Sequence, residues 1–559
     1  MRHVLGVVAT LIGVAVACGG ATAAPSRPNV VLIVCDDLND WVEPLGGHPQ
    51  AQTPALASFA RTGVTFTNAH SNNPVCAPSR SSFLTGIYPH TSGNLFWKKW
   101  FENPVLAESK TLMGYFRENG YRVVGSGKLM HHARRGEWDE FPNPADYGPL
   151  AWDGERRVGH PSVAEPFRSI GAIDGSFGSL ADVPFADDPR QPDADKPGSG
   201  WIYGGWQSVR PFRYAGPDDR DLTPDERVAR WAARRLERFS EEGEPFFLAV
   251  GFIRPHTPMY APQAFFDRFP LDSVELPPRL AGDAGDTRYA AHFSPEVKGR
   301  RYFRLIEASY GSAEAGLKRF AQAYLACTAF ADAQIGVVLG ALARTGLDEN
   351  TVVVITSDHG FNIGEKSFLF KNSPWEESTR VPLFVRAPGV SVAGGRTDTP
   401  VSLIDLYPTL ADLCGLEGDT RKSAAGRPLD GHSLRPLLTD PAAGVWEGPP
   451  AALTMVHAEE DAAREQPPEA HDDPASQHWS IRTRTHRYVR YNTGAIELYD
   501  HRTDPHEWYN LADEPSQRGT IEQMDGLLRE MIAPVVLEPQ GSEARVREQR
   551  GDGNGEDQP

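Results

Sequence analysis

The chain has 559 residues, too many for one small core, and calls for one large domain plus a smaller one, or for two to four ordinary ones. A hydrophobic share of 40% and a charged share of 23% are those of an ordinary water-soluble globular protein. The net charge of −18 excludes the basic footprint of a nucleic-acid binder or of a protein drawn to anionic membranes, so an anionic substrate must be caught by a local cationic pocket.

The N-terminus, "MRHVLGVVATLIGVAVACGGATAAPSRPN", has a short basic start, an uncharged apolar run over 4–17 and small residues around Ala21–Ala24. This pattern predicts an export signal over 1–24, hence a periplasmic or secreted protein. Cys18 follows a weak lipoprotein box and offers lipid anchoring as a variant of the same export. No later stretch is expected to be long and apolar enough to span a membrane. The cysteines Cys35, Cys76, Cys327 and Cys414 lack the spacing of a disulfide framework, so no disulfide important to the fold is expected.

"RPNVVLIVCDD" (27–37) is a continuous β-branched run ending in two aspartates and predicts a central strand buried on both faces. Helix then strand follow over 53–70, and helix, strand and loop over 111–132. Residues 134–222 are rich in Gly, Pro and Asp and are expected to form long loops walling a cleft. "TPDERVARWAARRLERFS" (223–240) predicts a helix with Thr223 and Glu226 as a capping box and Pro224 at its first turn. Buried strands are expected at 245–256 and 350–360, separated by a long helix over 314–345 that stops at Gly346. The alternation means an α/β fold with a large, mainly parallel central sheet flanked by helices. The catalytic domain is assigned to 27–440. A smaller antiparallel sheet with a final helix (517–532) is assigned to 441–535, with an acidic solvated loop over 458–477, and 536–559 form a disordered tail. Asp36-Asp37, His256 and Asp358-His359 all fall at strand carboxyl ends, where such folds bind ligands.

The stretch "CAPSRSSFLTG" (76–86) places a cysteine and an arginine four apart. A helix starting near Cys76, with Pro78 in its first turn, puts both on one face with the helix's positive end toward the cysteine. Two adjacent carboxylates after one strand and a third, with a histidine, after another call for a shared cation. Cys76-Ala77-Pro78-Ser79-Arg80 with Leu84-Thr85-Gly86 resembles the sulfatase signature. "VVLIVCDDLN", Lys128 with His131, "RPHTP" (254–258), "TSDHG" (356–360), "DGHSLRPLL" (430–438) and "ELYDHRTDPHEWYNLA" (497–512) resemble further blocks in the same order. The K-x-x-H spacing is similar to the iduronate-2-sulfatase type.

The resemblance implies an alkaline-phosphatase/sulfatase-like fold and hydrolysis of a sulfate ester of a sugar or polysaccharide. It implies that a formylglycine-generating, sulfatase-maturing enzyme oxidises Cys76 to formylglycine, whose hydrate attacks sulfur. It further implies one divalent ion, Ca²⁺ by the oxygen-rich set, held by Asp36, Asp37, Asp358, His359 and residue 76. Arg80 and His131 would hold the hydrate, Lys128 and Lys371 the sulfate oxygens, and His256 would protonate the leaving alcohol. The sequence departs from the family at Lys366, where related sequences commonly have histidine in a G-E-H-G run. Two other readings are a phosphonate or phosphodiester hydrolase of the same superfamily and a catalytically silent carbohydrate-binding relative.

Overall fold

The computed structural model describes residues 27–186, 198–205, 209–292, 294–458 and 473–537. The segment expected to be an export signal, with Cys18, most of the acidic 458–477 stretch and nearly all of the expected tail lie outside the described residues.

The first strand, β1 (Asn29–Asp36), is buried at every position. Its alternate residues explain the uninterrupted apolar run. Val30, Leu32 and Val34 enter one helical layer, and Val31, Ile33 and Cys35 the opposite one. α1 (Pro54–Ala60), β2 (Val64–Phe66), α2 (Cys76–Thr85), α3 (Leu112–Glu118) and β3 (Arg122–Gly127) follow. Next come α4 (Pro224–Glu242) and β4 (Phe246–Pro255). The expected capping box is present in α4: Thr223 Oγ1 accepts from Glu226 N at 3.3 Å and Glu226 Oε2 from Thr223 N at 2.8 Å. α5 (Ala313–Arg344) begins at Ser312, whose hydroxyl accepts from Ala315 N, and gives way to Gly346 at φ 70°. Contrary to expectation, α5 is long and apolar enough to cross a membrane. It is apolar because it is the core helix: Ile335, Val338 and Leu342 pack under the sheet and Phe320, Leu325 and Phe330 fill a second core.

β5 (Thr351–Ser357), β6 (Leu383–Arg386) and β7 (Gly395–Thr397) complete a seven-stranded sheet of order β7-β2-β6-β5-β1-β4-β3. Only β6 runs against its neighbours. The central registers pair Val30 with Phe247 on one side and with Val352 on the other. The carboxyl ends of β1, β3, β4 and β5 therefore lie side by side. β8 (Ala452–Val456), β9 (His478–Arg482), β10 (His486–Arg490) and β11 (Ile496–Asp500) form a four-stranded antiparallel sheet. α6 (Arg518–Met531) covers it through Met524 and Leu528 against Trp479, Tyr488 and Leu498. The four described cysteines are all free and buried.

Candidate active site and metal centre

Every residue of α2 is buried, which explains its run of small side chains. Its N-cap residue, Val75, provides no side-chain cap, so the first-turn N–H groups keep the partial positive charge of an uncapped helix end. Gly86 ends the helix at φ 71°, donating to Ser82 O at 2.8 Å. Ser79 Oγ donates to Asp358 O at 2.6 Å and docks the helix on the end of β5.

Asp36, Asp37, Cys76 and His359 offer ligand atoms that all lie within 4.8 Å of one another, and all four are buried. His359 Nδ1 bonds Gly360 O at 2.9 Å, which turns Nε2 inward. From there Nε2 is 3.3 Å from Cys76 Sγ, 3.5 Å from Asp37 Oδ1 and 3.7 Å from Asp358 Oδ2. Asp37 sits in the left-handed region at φ 63°, a strained backbone that aims its carboxylate across the strand ends. Asp358 is at the rim of the cluster. Its Oδ1 accepts from Asp37 N at 3.2 Å and from His359 N at 3.0 Å, and its Oδ2 from Arg80 Nε at 2.8 Å.

Three cations balance the three aspartates. Lys128 Nζ donates to Asp36 Oδ2, and Lys371 Nζ reaches Asp37 Oδ1 at 2.7 Å and Cys76 Sγ at 3.2 Å. Arg80, fully buried, bridges Asp358 and Asp36 and also donates to the carbonyls of Cys35, Lys128 and Leu129. The sequence places Arg80 on the nucleophile; the structure places all of its hydrogen bonds on the carboxylates and strand ends around it. Burial first, then the repulsion of neighbouring aspartates, pushes the Asp37 carboxyl up to about 7, while Lys371 opposes the rise. Asp36 goes the other way: Lys128, His256 and Arg80 overcome its burial and hold it well below the usual carboxylate range. Burial and the Asp36 charge push the Cys76 thiol up to about 12, so it is protonated at neutral pH. The set of carboxylates, an imidazole and a sulfur fits a divalent cation.

His256 lies at the end of β4, with Nδ1 bonded to Thr257 O and Nε2 3.8 Å from Asp37 Oδ2. Thr257 Oγ1 donates to Asp174 Oδ1 at 2.8 Å, which steadies this turn. His131 stands further out. Its ring packs at 4.9 Å on Trp97, a residue 38% exposed, and its Nδ1 has no hydrogen-bond partner among the described residues. Burial and Lys128 lower His131 to about 3, so it is a neutral base. Lys366 turns away from the site and pairs with Asp283 at 2.7 Å and Glu507 O. Lys366, where the resemblance led to the expectation of a histidine, is thus part of a structural ion pair. Two residues escaped the sequence reading: Trp97 beside His131, and Tyr147 beside Lys128 and His256. Neither sits at a strand end or in a periodic segment.

Residues 28–416 match the sulfatase family model, and residues 364–533 match that of the N-sulphoglucosamine sulphohydrolase C-terminal region. A sulfatase of Formosa agariphila is 31% identical over 90% of this chain and 86% of its own length. The iduronate 2-sulfatase of Mus musculus is 29% identical over 70% of each chain. Among solved structures, a protein in complex with its substrate D-glucosamine-2-N,6-O-disulfate overlays with TM-score 0.61 at 18% identity, covering 90% of this chain and 98% of its own. The phosphonate monoester hydrolase of Agrobacterium radiobacter overlays with TM-score 0.65 at 22% identity, covering 91% and 96%. At these identities the overlays speak to the fold alone. By the family match over 28–416 and the relative at 31% identity, the chain is a member of the sulfatase family, enzymes that hydrolyse sulfate esters.

Proposed function

We propose that the enzyme removes sulfate from a sugar or polysaccharide, with residue 76 matured to formylglycine and one Ca²⁺ ion bound. The observation that carries this reading is the meeting of Asp36, Asp37, Cys76 and His359 within 4.8 Å, ringed by Arg80, Lys128 and Lys371. A thiol pushed up to about 12 is a poor nucleophile, whereas a formylglycine at this position supplies a hydrated aldehyde's hydroxyl for attack on sulfur. Asp36, Asp37, Asp358 and His359 would hold the cation, which polarises a sulfate oxygen when bound. With a cation held there, the ammonium groups of Lys128 and Lys371 would be available to sulfate oxygens. Arg80 keeps Asp36 and Asp358 in place and adds positive potential beneath residue 76. The neutral imidazole of His131 would help hold the attacking hydroxyl. His256 presents Nε2 to the leaving oxygen and donates a proton there, its low proton affinity raised by the arriving anion.

We further propose that the N-terminal 24 residues are an export signal and that the enzyme is periplasmic or secreted. Sugar as the substrate class rests on the resemblance to iduronate 2-sulfatase. A second reading, phosphonate or phosphodiester hydrolysis, has a specific point in its favour: the same cation ring accepts any tetrahedral anion, and a phosphonate hydrolase overlays this chain. The experiment is a screen of sulfated mono- and oligosaccharides beside phosphonate monoesters, with matured protein, after chelation and with Ca²⁺ added back. Sulfate release from a sugar, lost on chelation and restored by Ca²⁺, is the expected result. Faster turnover of the phosphonates would select the second reading, and binding of sulfated sugar without turnover of any ester would mark a silent relative.

A further inference from the structure

The chain reaches Tyr147 along the open edge of the central sheet. β3 is the edge strand, and residues 139–144 run beside it. Asp139 N donates to Val123 O at 2.8 Å, Gly125 N to Glu140 O at 2.9 Å and Gly127 N to Asn143 O at 2.7 Å. The last bond lies at the strand's carboxyl end, so the residues after it are delivered over the site. Beyond Tyr147 the backbone is fixed again. Asp146 Oδ1 accepts from Gly148 N at 2.9 Å and from Gly204 N at 2.6 Å. A Cβ on Gly148 would lie 2.5 Å from Gly204 N, so the two segments meet backbone to backbone. Arg254 Nη2 donates to Gly148 O at 3.0 Å. Arg254 belongs to β4, two residues before His256. The strand end that presents the histidine therefore also anchors the Tyr147 loop.

Between these anchors the tyrosine ring meets two site residues. Lys128 Nζ lies over the ring, 5.0 Å from its centroid. The His256 ring packs against it with centroids 5.1 Å apart at 66°. Burial keeps the phenol protonated, so the ring is neutral. A neutral π face attracts an ammonium without spending its charge, unlike a carboxylate. Lys128 held by Asp36 alone would pair fully with that carboxylate; held also by a ring, it keeps a position and a charge that an arriving anion can use. His256 is fixed at Nδ1 by the Thr257 carbonyl, and the tyrosine packs its ring from the side, which sets the direction of Nε2.

We propose that Tyr147 is a positioning residue for the sulfatase reaction, its ring holding Lys128 toward the sulfate group and His256 toward the leaving oxygen at once. The proposal rests on the roles given above to Lys128 and His256. The ring carries the effect, and the hydroxyl, which also bonds Lys128, adds little to it.

The test compares Tyr147→Phe with Tyr147→Leu in matured enzyme, alone and combined with Lys128→Ala or His256→Ala. The readouts are the inhibition constant for inorganic sulfate and kcat/KM on a sugar sulfate and on an activated aryl sulfate. Tyr147→Phe is expected within about threefold of the parent on all three. Tyr147→Leu is expected to weaken sulfate inhibition by about five- to thirtyfold, the size of a desolvated cation–π contact, and to slow the sugar sulfate more than the aryl sulfate. The weakened inhibition should disappear in the Lys128→Ala background, and the leaving-group difference in the His256→Ala background, because coupled pairs are not additive. Equal losses for Phe and Leu, or a Leu effect of unchanged size in both backgrounds, would overturn the proposal. If Lys128→Ala and His256→Ala themselves left kinetics unchanged, the roles assigned to those residues would fail instead.

Discussion

His256 and Lys371 approach Asp37 from two sides, and the two contacts differ in kind. Lys371 makes a 2.7 Å ion pair, whereas the His256 Nε2 stands off at 3.8 Å with its other nitrogen committed to Thr257 O. That spacing leaves Nε2 available to a third group, the oxygen of a departing alcohol. A sugar alkoxide needs a proton in the transition state, and a nitrophenolate needs far less help. His256→Ala is therefore expected to slow hydrolysis of a sugar sulfate by about 10²–10⁴-fold and of an activated aryl sulfate much less, read as kcat/KM on both. Equal losses would make His256 a sulfate-binding or supporting group. At this scale the sequence was most legible where a polar residue ends a buried strand. Asp36, Asp37, His256, Asp358 and His359 could be found that way, because strand ends converge in a parallel sheet. Arg80 was found, but its bonding was not: which neighbours a guanidinium serves depends on carbonyls from β1 and the β3 end, 45 and 48 residues away in sequence for Cys35 and Lys128. Tyr147 was illegible because glycine contacts and single backbone bonds, not periodicity, place it.

Among the elements, the approach of β3 to β4 decides where Lys128 emerges. A Cβ on Gly251 would lie 2.0 Å from Lys128 O, and one on Gly127, at φ 89°, would lie 1.9 Å from Gly251 O. The two glycines let the strand ends close together, so that Lys128 N bonds Gly251 O at 3.0 Å and the side chain swings to Asp36. Gly251→Ala is expected to cost about 1–3 kcal/mol in stability and to lower kcat/KM on both substrate types alike, since it displaces the lysine rather than the acid. Thermal unfolding and steady-state kinetics check it; unchanged kinetics would mean that Lys128 tolerates the shift. The expected bounds of β1, α4, β4, α5 and β5 agree with the structure to within a few residues, because each combines a clear apolar period with Pro, Gly or capping signals at its ends. Among its described residues the 134–222 stretch instead holds two short strand pairs, Leu150–Trp152 with Gly200–Ile202 and Tyr214–Gly216 with Asp219–Arg220. Strands of two or three residues are too short for periodicity to show, and backbone pairing alone defines them.

Across the whole molecule, a buried charge network joins the C-terminal sheet to the catalytic layers. Arg487 in β10, 1% exposed, donates to Glu376 and Glu507, and Glu376 also accepts from Arg482 at 3.2 Å. Asn72 O and Ser71 O, just before the nucleophile helix, accept from Met455 N at 3.0 Å and Thr454 Oγ1 at 2.6 Å in β8. The C-terminal sheet thus braces the segment that leads into Cys76. Arg487→Ala would leave two buried carboxylates short of a partner and is expected to cost about 3–5 kcal/mol, measured by denaturant unfolding. A loss below 1 kcal/mol would mean that water or Arg482 takes over. The antiparallel sheet and last helix were legible in the sequence; the network was not, because Glu376, Arg487 and Glu507 lie up to 131 residues apart and meet only in the folded chain. The central claim, sulfate-ester hydrolysis through a matured Cys76, is tested most directly by one paired measurement. Protein is made with graded amounts of a maturing enzyme, the fraction of formylglycine at residue 76 is read by peptide mass spectrometry, and sulfate release is assayed on the same samples. Release proportional to the formylglycine fraction, and at background for Cys76→Ala, is the predicted result; full release from protein carrying only unmodified cysteine would contradict the account.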